Sequence, residues 1–228
     1  MSDAQARALF VAGAGTEVGK TYVTAALTRH LRDEGRAVRV LKPVASGMPE
    51  LGDPAFAASD TGLLLAAQGH PITPETVAAC SPWRFAAPLA PDLAAAYEGR
   101  HLALADLVAW CAAQRQGLAP GTTLLVEGVG GLMSPVTQEA TGLDWLKALR
   151  LPALLVTGSY LGAISHALTA AETLRAHGIA LLGVVVSEGL AAPTPPESVA
   201  DSIARHVAAP VAVLHRGAAF PEALAGLV

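Results

Sequence analysis

A three-layer α/β fold built on a doubly wound, mainly parallel sheet is the architecture predicted for this chain of 228 residues. Three observations predict it. Short, continuously apolar runs recur along the chain, helix-compatible stretches alternate with them, and the first strand–helix junction carries a glycine-rich loop ending in Gly-Lys-Thr. The length suits one α/β domain over 1–228, and a hydrophobic share of 52% supplies material for its core.

The elements follow in order. Ala8 to Ala12 forms an apolar run ending at Gly13, and a helical stretch from Lys20 to Glu34 closes at Gly35. Val38 to Leu41 is a second strand that stops at Lys42-Pro43, because proline cannot donate to a ladder. Asp60 to Gln68 and Leu104 to Gln114 are helices, and the stretch holding Pro71, Pro74, Pro82, Pro88 and Pro91 reads as irregular connection. Leu124 to Val126, Ala153 to Val156 and Leu181 to Val186 have the composition of strands buried on both faces. Helix Ile164 to His177 follows Gly162, and Ala191 to Pro196 is a loop before a helix near Ser198 to His206.

Charge and cysteine content exclude several functions. A formal net charge of −4 and a pI near 5.9 give no global positive field for nucleic acid or anionic lipid. Cys80 and Cys111 stand far apart in no metal-ligating spacing, which argues against zinc and against a disulfide framework, and fits a reducing cytoplasm. The stretch Met1 to Arg7 precedes too short an apolar run for a signal sequence or membrane span. The richness in alanine carries no functional weight.

Three motifs carry chemistry. Gly13-Ala14-Gly15-Thr16-Glu17-Val18-Gly19-Lys20-Thr21 sits between a strand and a helix, as a phosphate loop requires. Backbone amides around Gly19 and the helix N-terminus favour phosphate oxygens, Lys20 supplies charge, and Thr21 supplies a hydroxyl for magnesium. The loop is a variant, because the usual leading glycine position holds Ala14 and the glycine falls one residue earlier, at Gly13. A turn kept for packing alone would also be glycine-rich, but the Gly-Lys-Thr ending favours phosphate and places the fold among P-loop nucleotide hydrolases.

The second motif, Lys42-Pro43-Val44-Ala45-Ser46-Gly47, puts a lysine at the carboxyl end of the second strand, beside the phosphate loop of a doubly wound sheet. Taken alone, such a lysine is more often solvated. The third, Val126-Glu127-Gly128-Val129-Gly130-Gly131, closes a buried strand with a carboxylate suited to magnesium, although a turn glutamate with incidental glycines would look the same. Asp60, at a helix start, is a weaker signal. His166 reads as structural, because no Ser/His/Asp order is legible among the histidines.

The ordered set Thr16-Glu17-Val18-Gly19-Lys20-Thr21, Lys42-Pro43-Val44-Ala45-Ser46-Gly47 and Val126-Glu127-Gly128 with Gly130-Gly131 resembles the dethiobiotin synthetase family. Ser59-Asp60, the Arg84-Phe85 to Pro91 segment and the Leu161-Gly162 to His166 turn support the resemblance, which spans about residues 9 to 187. It implies a cytoplasmic homodimer that binds ATP and Mg2+ and takes 7,8-diaminononanoate and CO2 or bicarbonate to dethiobiotin, ADP and phosphate in biotin biosynthesis. Catalytic residues would be Lys20 and Lys42, and magnesium would be held by Thr21, Asp60 and Glu127. Nucleotide contacts would come from Glu17, Val18, Gly19, Lys20, Thr21, Tyr22, Asp60, Glu127, Gly128, Val129, Gly130, Ser187 and Glu188. Thr16, Glu17 and Ser46 would meet the carbamate or diamine, and Leu161 and Gly162 would hold the substrate carboxylate across the dimer.

Departures accompany the matches. The family often carries Asn-Asp where this chain has Ser187-Glu188, and often aspartate where it has Gly15, and Leu214 to Gly217 lacks the Ile-Pro pattern near the base; nucleobase selectivity is left open. Rival readings are a partner-driven ATPase of the partition or septum-positioning type, an amidoligase of cobalamin assembly, and a nucleotide-binding module without chemistry. The first would carry an early loop lysine where Ala14 and Gly15 stand, and the second an amidotransferase domain with its cysteine. Replacing Lys20 or Lys42 by alanine is expected to remove most turnover while leaving the fold intact.

Overall fold

The computed structural model describes residues 7–190 and 193–227. Six strands form one sheet in the order β2-β5-β1-β6-β7-β8: β1 (Ala8–Gly13), β2 (Val38–Leu41), β5 (Thr123–Glu127), β6 (Ala153–Thr157), β7 (Leu181–Ser187) and β8 (Val211–Leu214). Every pairing in it is parallel. A separate parallel pair joins β3 (Val44–Ala45) to β4 (Trp83–Arg84).

Alternation along β1 explains the layers. Phe10 and Ala12 face one cluster, with Leu107 and Cys111 of α5 (Leu104–Gln116), Trp145 and Leu146 of α6 (Gly142–Leu149), Leu174 of α7 (Ala163–Ala176) and Ile203 of α8 (Pro196–Ala204). Leu9 and Val11 face the other, with Leu27 and Leu31 of α1 (Lys20–Asp33), Leu64 of α2 (Asp60–Gln68) and Leu224 of α9 (Glu222–Ala225). Phe10 meets Trp145 edge to face at 5.0 Å, tying the central strand to α6. Both faces of the sheet are therefore dry, which is why its strands read as unbroken apolar runs.

The proline-rich stretch is more ordered than the sequence reading allowed. It holds α3 (Pro74–Cys80), β4 and α4 (Pro91–Tyr97). Pro74 and Pro91 stand at the first helical position, where the missing N–H costs nothing, so these prolines start helices instead of interrupting them. Thr73 adds a capping box at α3. Helix α6, opened by the Thr141/Asp144 capping box, and the short edge strand β8 were also not read from the sequence. A 3-10 turn, Pro54–Ala58, leads into α2.

The loop expected over 191–196 begins at residues 191 and 192, which lie outside the described residues, as do 1–6 at the amino terminus, and it ends earlier than expected because α8 starts at Pro196. Among the described residues, no helix is long and apolar enough to cross a membrane.

Candidate active site

The phosphate loop follows β1 at the centre of the sheet, where connections leave to β2 on one side and β6 on the other. That is the switch point at which open α/β sheets bind ligands. Gly19 caps α1 in the left-handed region, φ 91°, and Glu17 adopts φ 56°, a conformation a non-glycine side chain rarely holds. Gly13 is required for another reason. A Cβ there would come within 2.8 Å of the Gly130 and Gly15 carbonyl oxygens and 2.9 Å of Lys20 Nζ. The displaced glycine of this loop variant is thus explained by the close approach of the loop after β5.

Strand register assembles the charged centre. Leu41 of β2 lies opposite Val126 of β5, and Val11 of β1 opposite Glu127. One step further, Lys42 arrives beside Glu127: Nζ donates to Glu127 Oε1 at 2.7 Å and to the Gly128 carbonyl at 3.0 Å. Asp60, placed by the Ser59 cap at the start of α2, brings Oδ2 to 3.2 Å of the same ammonium. Thr21 Oγ1 donates to Glu127 Oε1 at 2.7 Å. Lys20 Nζ donates to the Gly130 carbonyl at 2.7 Å and the Gly15 carbonyl at 3.2 Å.

Electrostatics separates the two lysines. Burial, followed by the nearby Lys42, lowers Lys20 from its ordinary value to about 8. Burial also pushes Lys42 down, but Glu127 and Asp60 outweigh it and hold its ammonium charged far above neutrality. Asp60 is pushed up by burial and pulled further down by Lys42 and its hydrogen bonds, so it stays ionised. Glu127 is fully buried, and among the described residues its Oε2 has no hydrogen-bond partner. A buried carboxylate oxygen without a donor is costly unless something positive meets it.

A cleft of about 480 Å3 is lined by Thr16, Glu17, Gly19, Lys20, Thr21, Tyr22, Lys42, Ser46, Asp60, Val129 and Gly130 of the residues singled out in the sequence; Glu127 and Gly128 do not line it but bond Thr21 and Lys42, which do. Gly47, Met48, Pro88 and Leu89 also line it and were not anticipated. The last two arrive with β4, and the Gly47 and Met48 amides donate to the Ala87 and Phe85 carbonyls at 3.0 and 2.9 Å. No local sequence pattern marks that pairing.

A smaller cleft of about 140 Å3 shares Glu17 and Gly19 with the first and adds Val18, Ser187 and Glu188, together with the unanticipated Tyr160 and Arg216. Ser187 is buried and its hydroxyl has no partner among the described residues. The Arg216 amide donates to Glu188 Oε2 at 2.8 Å, which holds that carboxyl below its ordinary value. The Arg216 guanidinium lies 4.6 Å from the Tyr22 ring centroid. Leu161 and Gly162 line neither cleft; Leu161 is 89% exposed, in the turn before α7. His166 is exposed and shares a hydrogen bond of 2.8 Å with the Tyr160 hydroxyl.

Magnesium demands oxygen ligands and keeps most of its shell for water and phosphate, so a few protein oxygens suffice. Glu127, Asp60 and the Thr21 hydroxyl fit that demand, and the unpartnered Glu127 oxygen gives them a reason to attract a cation. They do not amount to a self-sufficient metal cage: among the described residues no cluster of three His, Cys, Asp or Glu side chains is placed to hold an ion.

Comparison with known proteins agrees with this geometry. A family model described as an AAA domain matches residues 7–215. The ATP-dependent dethiobiotin synthetase BioD of Methylobacterium nodulans is 73% identical over 213 residues, covering 93% of this chain and 95% of that protein. The protein of the same name from Acidiphilium cryptum is 46% identical over 202 residues, 88% of each chain. Among solved structures, the chloroplast FtsY of Physcomitrella patens superimposes with a TM-score of 0.53 at 15% identity, covering 99% of this chain and 65% of that one. The GDP complex of FtsY from Elizabethkingia anophelis gives 0.52 at 18%, covering 90% and 55%. The chain spans less than two thirds of these receptors, and the likeness is one of fold alone. With a relative 73% identical across nearly its whole length, and the phosphate loop and strand-end lysine lining one cleft while the strand-end glutamate bonds that lysine from within, the chain belongs to the dethiobiotin synthetase family.

Proposed function

We propose that this protein is an ATP-dependent dethiobiotin synthetase, a cytoplasmic homodimer acting as one P-loop domain per chain. One amine of 7,8-diaminononanoate attacks CO2 and loses a proton to give a carbamate. A carbamate oxygen then attacks the γ-phosphorus of ATP, breaking its bond to ADP. The second amine attacks the carbonyl carbon of the mixed anhydride, closing the cyclic urea and expelling phosphate.

The observation that carries the reading is the convergence of Lys20, Lys42, Asp60 and Thr21 on one cleft, with the buried Glu127 bonded to Lys42 and Thr21. The triphosphate, the carbamate and the mixed anhydride are all anionic, and groups aimed at developing charge in a buried site stabilise it strongly. Lys20 is held by two backbone carbonyls at the mouth of the loop, where it meets the β- and γ-phosphates. Lys42, on the other wall, meets the carbamate. Thr16, Glu17 and Ser46, which line the same cleft, contact the carbamate or diamine. Thr21, Asp60 and Glu127 would hold magnesium, which would supply positive charge to neutralise the phosphates. The exposed Leu161-Gly162 turn is directed to the partner subunit, where its amides meet the substrate carboxylate.

The test is reconstitution. Purified protein with diaminononanoate, bicarbonate, magnesium and ATP should yield dethiobiotin by mass spectrometry, and omitting any component should abolish it. ATP hydrolysis without the product would point instead to a partner-driven ATPase.

A further inference from the structure

Lys42 makes an arrangement that phosphoryl transfer alone does not require. An ammonium has three protons to donate. Its three oxygen partners here are Glu127 Oε1 at 2.7 Å, Gly128 O at 3.0 Å and Asp60 Oδ2 at 3.2 Å. Lys42 is 2% exposed and Glu127 fully buried, so water does not screen their contact, whereas the Asp60 side chain is half exposed. Two of its three partners are the carboxylates assigned to magnesium, and Thr21, the third assigned ligand, donates to the same Glu127 oxygen. The buried Glu127 Oε2 has no hydrogen-bond partner among the described residues. In this state Lys42 has no proton left for a substrate anion, and a divalent ion between Asp60 and Glu127 would meet an ammonium already there.

We infer that Lys42 is the resident counter-ion of the metal site: it spans Asp60 and Glu127 in the nucleotide-free protein, excludes divalent cations from that pair, and turns to the substrate anion only when metal and triphosphate arrive together. The inference rests on the reading that Thr21, Asp60 and Glu127 hold magnesium, and adds to it an order of events. The lysine couples the two charges: neither carboxylate is left bare before the metal arrives, and the ammonium that leaves them is released toward the cleft where new negative charge develops. The fully buried Glu127 carboxylate beside Asp60 would be strongly unfavourable without either cation.

The experiment measures Mn2+ binding to nucleotide-free protein, by the paramagnetic resonance of free Mn2+ and by the shift in melting temperature. Wild-type protein should bind Mn2+ alone weakly and melt at the same temperature with or without it. Lys42→Met, of similar length and no charge, should bind Mn2+ at least about tenfold tighter and melt higher in its presence, because the repelling charge is gone. Adding Glu127→Gln to that variant should cancel the gain. Equal Mn2+ affinity in wild type and Lys42→Met overturns the inference. Should Lys42→Met fail to fold, the wild type still decides: low-micromolar Mn2+ binding without nucleotide overturns the inference, and weak binding supports it. Dethiobiotin formation by the wild type reports separately. Equal Mn2+ affinity in wild type and Lys42→Met with product formed removes only the counter-ion role, whereas the tenfold gain in Lys42→Met without product from the wild type removes the enzymatic assignment and leaves that role standing.

Discussion

The two clefts that meet at Gly19 are built on opposite principles. The one between β1, β2 and β5 is organised by buried charge: Lys42 and Glu127 are 2.7 Å apart with almost no exposure, and every partner is held by a strand end or a helix cap. The one at the ends of β7 and β8 is organised by exposed pairs, in which Glu188 faces Arg216 and His215, His215 also reaches Glu197, and Arg216 rests on Tyr22. Buried charges cannot be exchanged without cost, whereas exposed pairs contribute little and are readily rearranged. The half organised by buried charge cannot drift, and the half organised by exposed pairs can.

Substitution sharpens this contrast. Lys20→Ala and Lys42→Ala should each lower turnover about 10²- to 10³-fold in the dethiobiotin assay, the magnitude for removing one preorganised donor. Their stabilities should diverge. Lys20, whose charge burial disfavours, can be removed without loss, but Lys42→Ala strands Glu127 and should cost about 3–5 kcal/mol in urea unfolding. The sequence reading expects both variants to leave the fold intact; the buried Lys42–Glu127 pair instead predicts a stability loss for Lys42→Ala. An increase in stability on losing Lys42 would break the comparison.

Glu127→Gln, which leaves the Lys42 ammonium without its closest anion, should cost a similar about 3 kcal/mol and depress turnover, measured by the same two assays. Gly19→Ala acts at the junction. It forces a side chain into φ 91° against Ser187, at about 1–3 kcal/mol in unfolding experiments, and should weaken nucleotide binding in calorimetry. The smallest effect belongs to the outer half: Arg216→Ala should raise the KM for ATP about two- to fivefold with kcat unchanged, the scale of an exposed cation–π contact. A loss in kcat matching that of Lys42→Ala would show that the exposed half shares in the chemistry.

Legibility followed periodicity and local chemistry. Five strands of the central sheet, all but the edge strand β8, announced themselves as apolar runs, and the phosphate loop through Gly19-Lys20-Thr21, because each is specified by neighbours in sequence. The β3–β4 pairing, which brings Pro88 and Leu89 to the cleft, joins segments far apart in the chain with only two residues per strand. Helix α6 was missed although Thr141 and Asp144 form a capping box, a signal present in the sequence but not used. Arg216 and Tyr160 carry no motif at all; they are site residues only because β8 and the turn before α7 end beside the loop.

By itself, the sequence determined the layered α/β architecture, the phosphate-binding turn and the inventory of lysines and carboxylates, since alternation, capping and glycine chemistry act over a few residues. Tertiary structure alone decided that Lys42 is buried against Glu127 and Asp60 instead of solvated, and that Gly13 is obligatory beneath Gly130. The physical reason is register. A charge at a strand end gains its partner, its desolvation and its altered protonation only when a neighbouring strand, distant in the chain, ends at the same level.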